Sequence, residues 1–179
     1  MKMFAVSVIL LLLTGCMAGM PNHVTSNTSN FDGAKSLSMQ PGFIYESMDT
    51  FAGGPFQLGL FWSEKYKDII VITAKLPMEI TNIQSNNGLL FNIDGKITKL
   101  SSPKLFTKFQ TIRTSNTISS DSVKDFAATT QFIEKLINAK SVKVKLVTSK
   151  GVLTGDLKAD KPSAAIRGFK DFMQQLKTN

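Results

Sequence analysis

The chain offers few residues for nucleophilic or metal-assisted chemistry. Cys16 is the only cysteine and His23 is the only histidine, and we expect the folded domain to begin at residue 41. A Ser-His-Asp triad or a Cys-His pair inside that domain is therefore impossible, and a zinc site with a histidine ligand is disfavoured. No glycine-rich loop of a nucleotide-binding pattern precedes a predicted helix. The sequence predicts no catalytic residue, no metal site and no cofactor, and we interpret the protein as a non-enzyme.

Carboxylates are the remaining candidates for catalysis, since a pair of acids can hydrolyse glycosidic bonds. Glu46, Asp49, Glu64 and Asp68 lie close together in the sequence. Glu46 and Asp49 differ in parity on a predicted strand, so their side chains would point to opposite faces. Glu64 and Asp68 flank a predicted turn, where charged side chains are normally solvated. A carboxylate-dependent hydrolase is therefore the least favoured of the functions that we consider.

Lysines provide a second set of candidates, because 21 Lys and Arg residues against 13 Asp and Glu residues give a formal net charge of +8. Lys143 and Lys145 alternate with apolar residues, so they project from one face of a predicted hairpin, and Lys140 and Lys150 lie at its ends. These four lysines are the candidate contacts for an anionic partner. The alternative is that solvent-facing strand positions favour lysine, which also discourages pairing between sheet edges.

A second predicted hairpin carries Lys96 and Lys99 at opposite parity. If the two hairpins joined one sheet, part of its open face would be cationic. Nucleic acid is not an expected partner, because Arg113 and Arg167 are the only arginines. Phosphate and base recognition usually depends on the bidentate geometry of arginine.

The N-terminal residues fall into three zones. Lys2 provides a short positive region, Phe4 to Leu13 form an apolar run, and Leu13-Thr14-Gly15-Cys16 follows. The run is too short to span a bilayer, which takes about 20 apolar residues, and is typical of a signal peptide. Leu13-Thr14-Gly15-Cys16 resembles the lipobox of bacterial lipoprotein precursors.

This resemblance implies that the Cys16 thiol receives a diacylglycerol. A dedicated peptidase would recognise Leu13, Thr14 and Gly15, cut before Cys16 and leave an amino group that is then acylated. Several acyl chains on one residue satisfy the need for two signals in stable membrane anchoring. Met17 stands where an aspartate would retain an inner-membrane lipoprotein, so the resemblance implies an outer-membrane protein that faces the periplasm. The alternatives are an ordinary secreted protein and a buried N-terminal helix.

We therefore divide the chain into a signal peptide (1–15), a lipidated flexible tether (16–40) and a single α+β domain (41–179). The tether is rich in Ser, Asn, Thr, Gly and Met and shows weak periodicity. His23 would be a solvated residue within it. Removal of residues 1–15 takes away one lysine and no acid, which leaves 20 basic and 13 acidic residues and a net charge of +7.

The first half of the domain has the patterns of strands. Candidate strands cover 42–50, 56–62 and 68–75, and Ile69-Ile70-Val71-Ile72 favours a strand that is buried on both faces. Residues 89–100 resemble a hairpin closed by Asp94-Gly95, a favoured pair for a tight turn. The polar stretch 101–120 carries no clear pattern.

The second half predicts a helix, a hairpin and a closing helix. The first helix would be capped within 119–121 and run from Val123 to about Ala139, since apolar residues recur there at helical spacing. In the hairpin, Lys150-Gly151 would form the loop, so that Leu146 faces Gly155 and Val144 faces Leu157.

Asp160 would cap the last helix, with Pro162 in its first turn. The last helix presents one apolar stripe, formed by Ala165, Phe169, Phe172, Met173 and Leu176. The expected fold is α+β, an antiparallel β-sheet with two helices packed on one face, in the order strands, helix, hairpin, helix.

The sequence favours a membrane-anchored envelope lipoprotein that acts as a non-enzymatic binding or assembly module. Its partners would be the membrane, through the lipid on Cys16, and an envelope protein or an anionic envelope component. A carrier or sensor of an apolar ligand is the alternative, for which a pocket lined by Phe and Met would be required.

Overall fold

The computed structural model describes residues 23–46, 56–113, 118–160 and 162–178. The predicted signal peptide, the lipobox and Cys16 lie outside these ranges. The elements are β1 (Val24–Thr28), β2 (Lys35–Phe43), β3 (Tyr45–Glu46), β4 (Gln57–Ser63), β5 (Ile69–Leu76), β6 (Leu89–Ile93), β7 (Lys96–Leu100), β8 (Lys108–Arg113), β9 (Ile118–Thr129), α1 (Thr130–Asn138), β10 (Val142–Thr148), β11 (Gly151–Lys158) and α2 (Ala164–Thr178).

The strands form two antiparallel sheets, where the sequence predicted one. The first sheet has the order β1-β2-β4-β5-β9-β8, and the second sheet has the order β3-β11-β10-β6-β7. The α+β composition is as expected: the described part is mostly antiparallel sheet with two helices. Helix α2 lies against β2 and β4, and α1 lies against β9 and α2. Buried side chains from both sheets and both helices form one continuous hydrophobic cluster.

Alternation along the strands decides which face of each sheet enters the core. Ile70 and Ile72 on β5 are fully buried, whereas Ile69 is 44% exposed and Val71 is half-buried. The prediction that this run is buried on both faces is therefore wrong. Each sheet has one inner face, packed into the shared core, and one outer face, open to solvent.

The predicted tether is too long, because β1 and most of β2 lie inside residues 16–40. Leu37 and Met39 on β2 are 1% and 2% exposed, and β1 pairs antiparallel with β2 from Val24 opposite Met39. His23 is exposed, and its carbonyl accepts a hydrogen bond from the N–H of Gln40 at 3.2 Å. Residues 23–40 thus belong to the folded part of the chain and not to a tether.

The helix predicted from Val123 is wrong over its first half. Residues 118–129 form β9, and α1 begins at Thr130, where the Thr129 hydroxyl accepts the N–H of Phe132 at 3.2 Å. Side chains at 122, 124, 126 and 128 point inward, but the first two of these are Ser122 and Lys124. Because polar residues occupy inward positions, the sequence of β9 lacks the alternation of apolar and polar residues that marks a strand.

The hairpin at Asp94-Gly95 is confirmed, with positive φ angles of 49° and 88° at its two turn residues. The later hairpin also forms, but its predicted register is wrong by two residues. Ser149-Lys150 is the turn, and Thr148 lies opposite Gly151. A shift by two keeps the same side chains inward, so apolar alternation could not distinguish the two registers.

The closing helix buries the predicted stripe, of which Ala165, Phe169 and Phe172 are fully buried. Its N-terminus is capped by Ser163, whose hydroxyl accepts the N–H of Ile166 at 3.2 Å, and not by Asp160. In the part of the chain that the structure describes, no helix is both long and apolar enough to cross a membrane.

Candidate functional site

The two hairpins that carry the predicted lysines join in the second sheet, because β10 pairs with β6. Val142, Val144 and Leu146 on β10 are at most 1% exposed and face the core. Lys143 and Lys145 between them therefore point outward. We call the outward-facing residues of the second sheet the basic face; they are Leu90, Asn92, Ile97, Lys99, Lys143, Lys145, Val147, Val152, Thr154 and Asp156.

Strand register arranges this face in rows across the sheet. In one row, Leu90 lies between Lys99 on β7 and Lys145 on β10. In the neighbouring row, Asn92 lies between Ile97 and Lys143. Adjacent strands are about 4.8 Å apart, and alternate residues along a strand are about 7 Å apart. Three lysines are thus fixed around an aliphatic and an amide side chain.

A shallow depression of about 320 Å³ lies on the basic face. Leu90, Ile97, Lys143 and Lys145 line it, and Asp156 also contributes to its wall. Its lining combines ammonium groups with aliphatic surface, which suits an anionic group attached to an apolar or neutral body. Phe91 is the only Phe or Met in the lining of this surface depression, whereas a carrier of apolar ligands would need an interior pocket lined by several such residues.

Charge on the basic face is largely uncompensated. The ion pairs found among the described residues involve other lysines, and none of them includes Lys99, Lys143 or Lys145. Asp156 is the cross-strand neighbour of Lys143 and offsets part of the positive charge. The face can therefore attract an anion without first breaking an ion pair with a described residue.

The structure brings only two of the four predicted lysines to this face. The N–H of Lys140 donates to the Asp94 carboxylate at 3.0 Å, in the loop before β10. Lys150 lies in the turn at the other end of the hairpin, with its Nζ 3.6 Å from Glu79. Lys99 takes their place; the sequence placed Lys96 and Lys99 at opposite parity but did not show which of the two points outward.

The carboxylates considered for catalysis do not form a site in the described residues. Glu64 accepts the N–H of Lys35 at 3.0 Å, and Asp68 is exposed. Asp49 and the side chain of Glu46 lie outside the described part. Within that part, no three His, Cys, Asp or Glu side chains come together as a metal site would require.

Sequence reasoning missed a buried charge on the first sheet. Asp121 is 1% exposed; one carboxylate oxygen lies 2.8 Å from Lys75 Nζ, and the other accepts the N–H of Met78 at 2.8 Å. Burial acts to raise the pKa of Asp121, but the Lys75 ammonium and the Met78 N–H outweigh it and hold this pKa below its ordinary value. The predicted helix-capping role of Asp121 is wrong, because the residue lies within β9 and pairs with Lys75.

Lys124 is the second buried charge, 2% exposed and directed into the core. Its Nζ donates to Ser85 Oγ at 2.8 Å and to the carbonyl of Leu105 at 2.9 Å. Burial lowers the pKa of this lysine. The Ser85 hydroxyl in turn approaches the carbonyls of Lys104 and Leu105 at 3.1 Å and 2.8 Å.

A lysine beside a serine is a known catalytic pair, but the contacts here favour a structural role. Ser85 Oγ donates to carbonyl oxygens of a loop, and Lys124 donates to one of the same carbonyls. Together the two side chains hydrogen-bond the carbonyls of Lys104 and Leu105. We therefore interpret this cluster as the attachment of residues 104–105 to β9.

Comparisons of the chain with models of protein families, with curated proteins and with solved structures find no match in any of the three.

Proposed function

We propose that this protein is a lipid-anchored, non-enzymatic binding module of the bacterial cell envelope, and that it contacts an anionic partner through the basic face. Anchorage would be through lipid on Cys16 in the outer membrane, with the domain facing the periplasm. The observation that carries the proposal is the set of lysines around Leu90 and Asn92, which form no ion pair with a described residue; Asp156, opposite Lys143, offsets only part of their charge.

The strength of such a face comes from several charges acting together. One exposed ion pair contributes about 0–1 kcal/mol, because both ions remain hydrated and salt screens them. Lys99, Lys143 and Lys145 are held on a rigid sheet, so they can act on one ligand without the cost of bringing them together. The expected binding is moderate in affinity and falls as ionic strength rises.

The proposed lipid anchor would compensate for the moderate affinity of the basic face for its partner. A lipid on Cys16 restricts the domain to the neighbourhood of one membrane. That restriction raises the effective concentration of every partner in the same membrane or next to it. A weak but correctly oriented face is then sufficient for stable association.

Charge reversal of Lys143 and Lys145 tests the face. We expect K143E/K145E to lose binding to purified envelope fractions, namely peptidoglycan, lipopolysaccharide and anionic phospholipid vesicles, measured by co-sedimentation. K67E/K170E is the matched control, because both of its lysines are exposed and lie outside the basic face. Equal binding by the two double variants to every fraction that the wild type binds would refute the proposal.

Mass spectrometry tests the anchor separately. Protein purified from a bacterial membrane should begin at Cys16 and carry the mass of the added lipid. In Cys16→Ser both the cleavage before residue 16 and the lipid mass should be lost. An unmodified Cys16 in the wild-type protein would show that the anchor is absent, whatever the basic face binds.

A further inference from the structure

The distance between the proposed anchor and the folded domain is short. Because β1 begins at Val24, only residues 17–23 separate Cys16 from the first strand. A stretch of this length spans at most about 25 Å when it is fully extended. A domain held this closely would rest near the bilayer surface rather than stand away from it.

The domain end of this stretch lies near one edge of the second sheet. The carbonyl of His23 is hydrogen-bonded to the N–H of Gln40 at 3.2 Å. The chain from Gln40 to Tyr45 spans at most about 18 Å, and Tyr45 in β3 lies opposite Asp156 on β11. Asp156 belongs to the basic face, so the chain is long enough for a lipid on Cys16 and the basic face to meet one bilayer.

The basic face has the composition of a surface that lies among lipid headgroups. Ile97 is 66% exposed and Val152 is 47% exposed, and both lie among the outward-facing lysines of the same sheet. Aliphatic side chains favour the boundary between headgroups and acyl chains, while ammonium groups pair with lipid phosphates. Lysine is sufficient for this purpose, because diffuse attraction to many phosphates does not need the bidentate geometry of arginine.

We propose that the partner of the basic face is the anionic phospholipid surface of the membrane that holds the Cys16 lipid. This inference rests on the proposed function and names its partner. The second sheet would lie flat on the bilayer, and the outer face of the first sheet would point away from it. The lipid on Cys16 and the lysines of the face would be the two signals that together give stable attachment.

The expected size of the effect follows from the number of lysines. Each lysine close to an anionic leaflet strengthens binding by about fivefold. Reversal of Lys143 and Lys145 removes two favourable charges and adds two repulsive ones, so we expect binding to fall by at least about 25-fold. Asp156→Asn removes the acid beside Lys143 and should strengthen binding by a few-fold.

The test uses the mature chain, residues 16–179, with Cys16→Ser, so that the acyl chains do not mask the contribution of the face. Co-sedimentation is measured with vesicles of phosphatidylcholine alone and of phosphatidylcholine with phosphatidylglycerol. We expect binding to the anionic vesicles only, reduced by added salt, reduced at least about 25-fold in K143E/K145E and little changed in K67E/K170E. Matched circular dichroism and urea midpoints establish that each variant is folded.

Orientation on the membrane provides a second readout. Cys16 is the only cysteine, so the Cys16→Ser background accepts a single label elsewhere. A polarity-sensitive fluorophore at Val152→Cys, on the basic face, should shift to the blue with anionic vesicles. The same fluorophore at Ala127→Cys, exposed on the outer face of the first sheet, should not.

The outcomes separate this inference from the proposed function. Binding to peptidoglycan, lipopolysaccharide or an envelope protein that requires Lys143 and Lys145, without binding to anionic vesicles, would overturn the lipid inference alone. Vesicle binding with equal fluorescence shifts at both labels would also overturn it. Absence of any binding that depends on the basic face would overturn both.

Discussion

The two sheets share one hydrophobic core, but they differ in whether the charged side chains on their outer faces form ion pairs. On the first sheet, Asp121 pairs with Lys75 at 2.8 Å. Asp125 pairs with Lys104 at 2.7 Å and accepts the hydroxyl of Thr73 at 2.9 Å. The lysines of the basic face, on the second sheet, have no such partner among the described residues.

This difference separates residues that stabilise the fold from residues that are free to bind. A charge that is buried and paired contributes to folding, because removal of its partner leaves an ion in a poorly solvated place. A charge that is exposed and unpaired contributes little to folding and can be used by a ligand. The two outer faces should therefore respond to mutation in opposite ways, the first in stability and the second in binding.

The largest loss of stability is expected for Asp121→Ala. The substitution leaves the Met78 N–H and the Lys75 ammonium without their acceptor; the Asp121 side chain is 2% exposed and that of Lys75 is 24% exposed. We expect the free energy of unfolding to fall by about 2–4 kcal/mol, measured by urea denaturation. Gln110→Ala, at the exposed cross-strand neighbour, is the control and should change it by about 0.5 kcal/mol or less. A loss below about 1 kcal/mol in D121A would mean that the ion pairs on the outer face of the first sheet do not stabilise the fold.

Lys124 gives the next largest effect, and the size of this effect depends on pH. Lys124→Ala should cost about 2 kcal/mol, since it removes the buried stem and the donor to Ser85 and Leu105. Lys124→Met keeps the stem and should cost less.

Because burial lowers the pKa of Lys124 in the folded state below its ordinary 10.5, the unfolded chain holds a proton between the two values that the folded chain has released. Raising the pH through that interval should therefore stabilise the wild type relative to K124M. Urea unfolding of both proteins from pH 7 to pH 10.5 measures the difference. A constant difference across this range would show that the pKa of Lys124 is not lowered.

The sequence allowed prediction of those strands whose inward positions are apolar. The alternation on β10 placed Lys143 and Lys145 outward, and Asp94-Gly95 correctly marked the turn between β6 and β7. The same reasoning failed on β9, where Ser122 and Lys124 occupy inward positions. Their partners come from distant parts of the chain, such as the carbonyl of Glu79 and the hydroxyl of Ser85, and no local pattern contains that information.

Two other failures have different physical causes. All six residues of β8 are exposed, so no burial pattern marks that edge strand. The basic face depends on the pairing of β6 with β10, which joins positions 49 to 57 residues apart, from Ile93 opposite Val142 to Leu89 opposite Leu146. Alternation fixes the side of a strand to which a lysine points, but it does not fix the neighbouring strand.

A smaller effect is expected for the exposed ion pair of the first sheet. In this pair, Lys104 Nζ lies 2.7 Å from Asp125, but the side chain of Lys104 is 66% exposed. Lys104→Ala should reduce the free energy of unfolding by about 0.5 kcal/mol at low salt and by less at high salt. A cost equal to that of D121A would show that burial is not what distinguishes the two pairs, and urea unfolding at two ionic strengths measures it.

The smallest effect on stability is expected on the basic face. In K143A/K145A the strand keeps its inward Val142, Val144 and Leu146, and no ion pair with a described residue is broken. The free energy of unfolding should change by about 0.5 kcal/mol or less, while affinity for an anionic partner falls. Urea denaturation and the vesicle assay on the same protein samples measure both quantities. If K143A/K145A instead loses more than about 1 kcal/mol of stability, these lysines support the second sheet, and the contrast between the two outer faces no longer separates folding from binding.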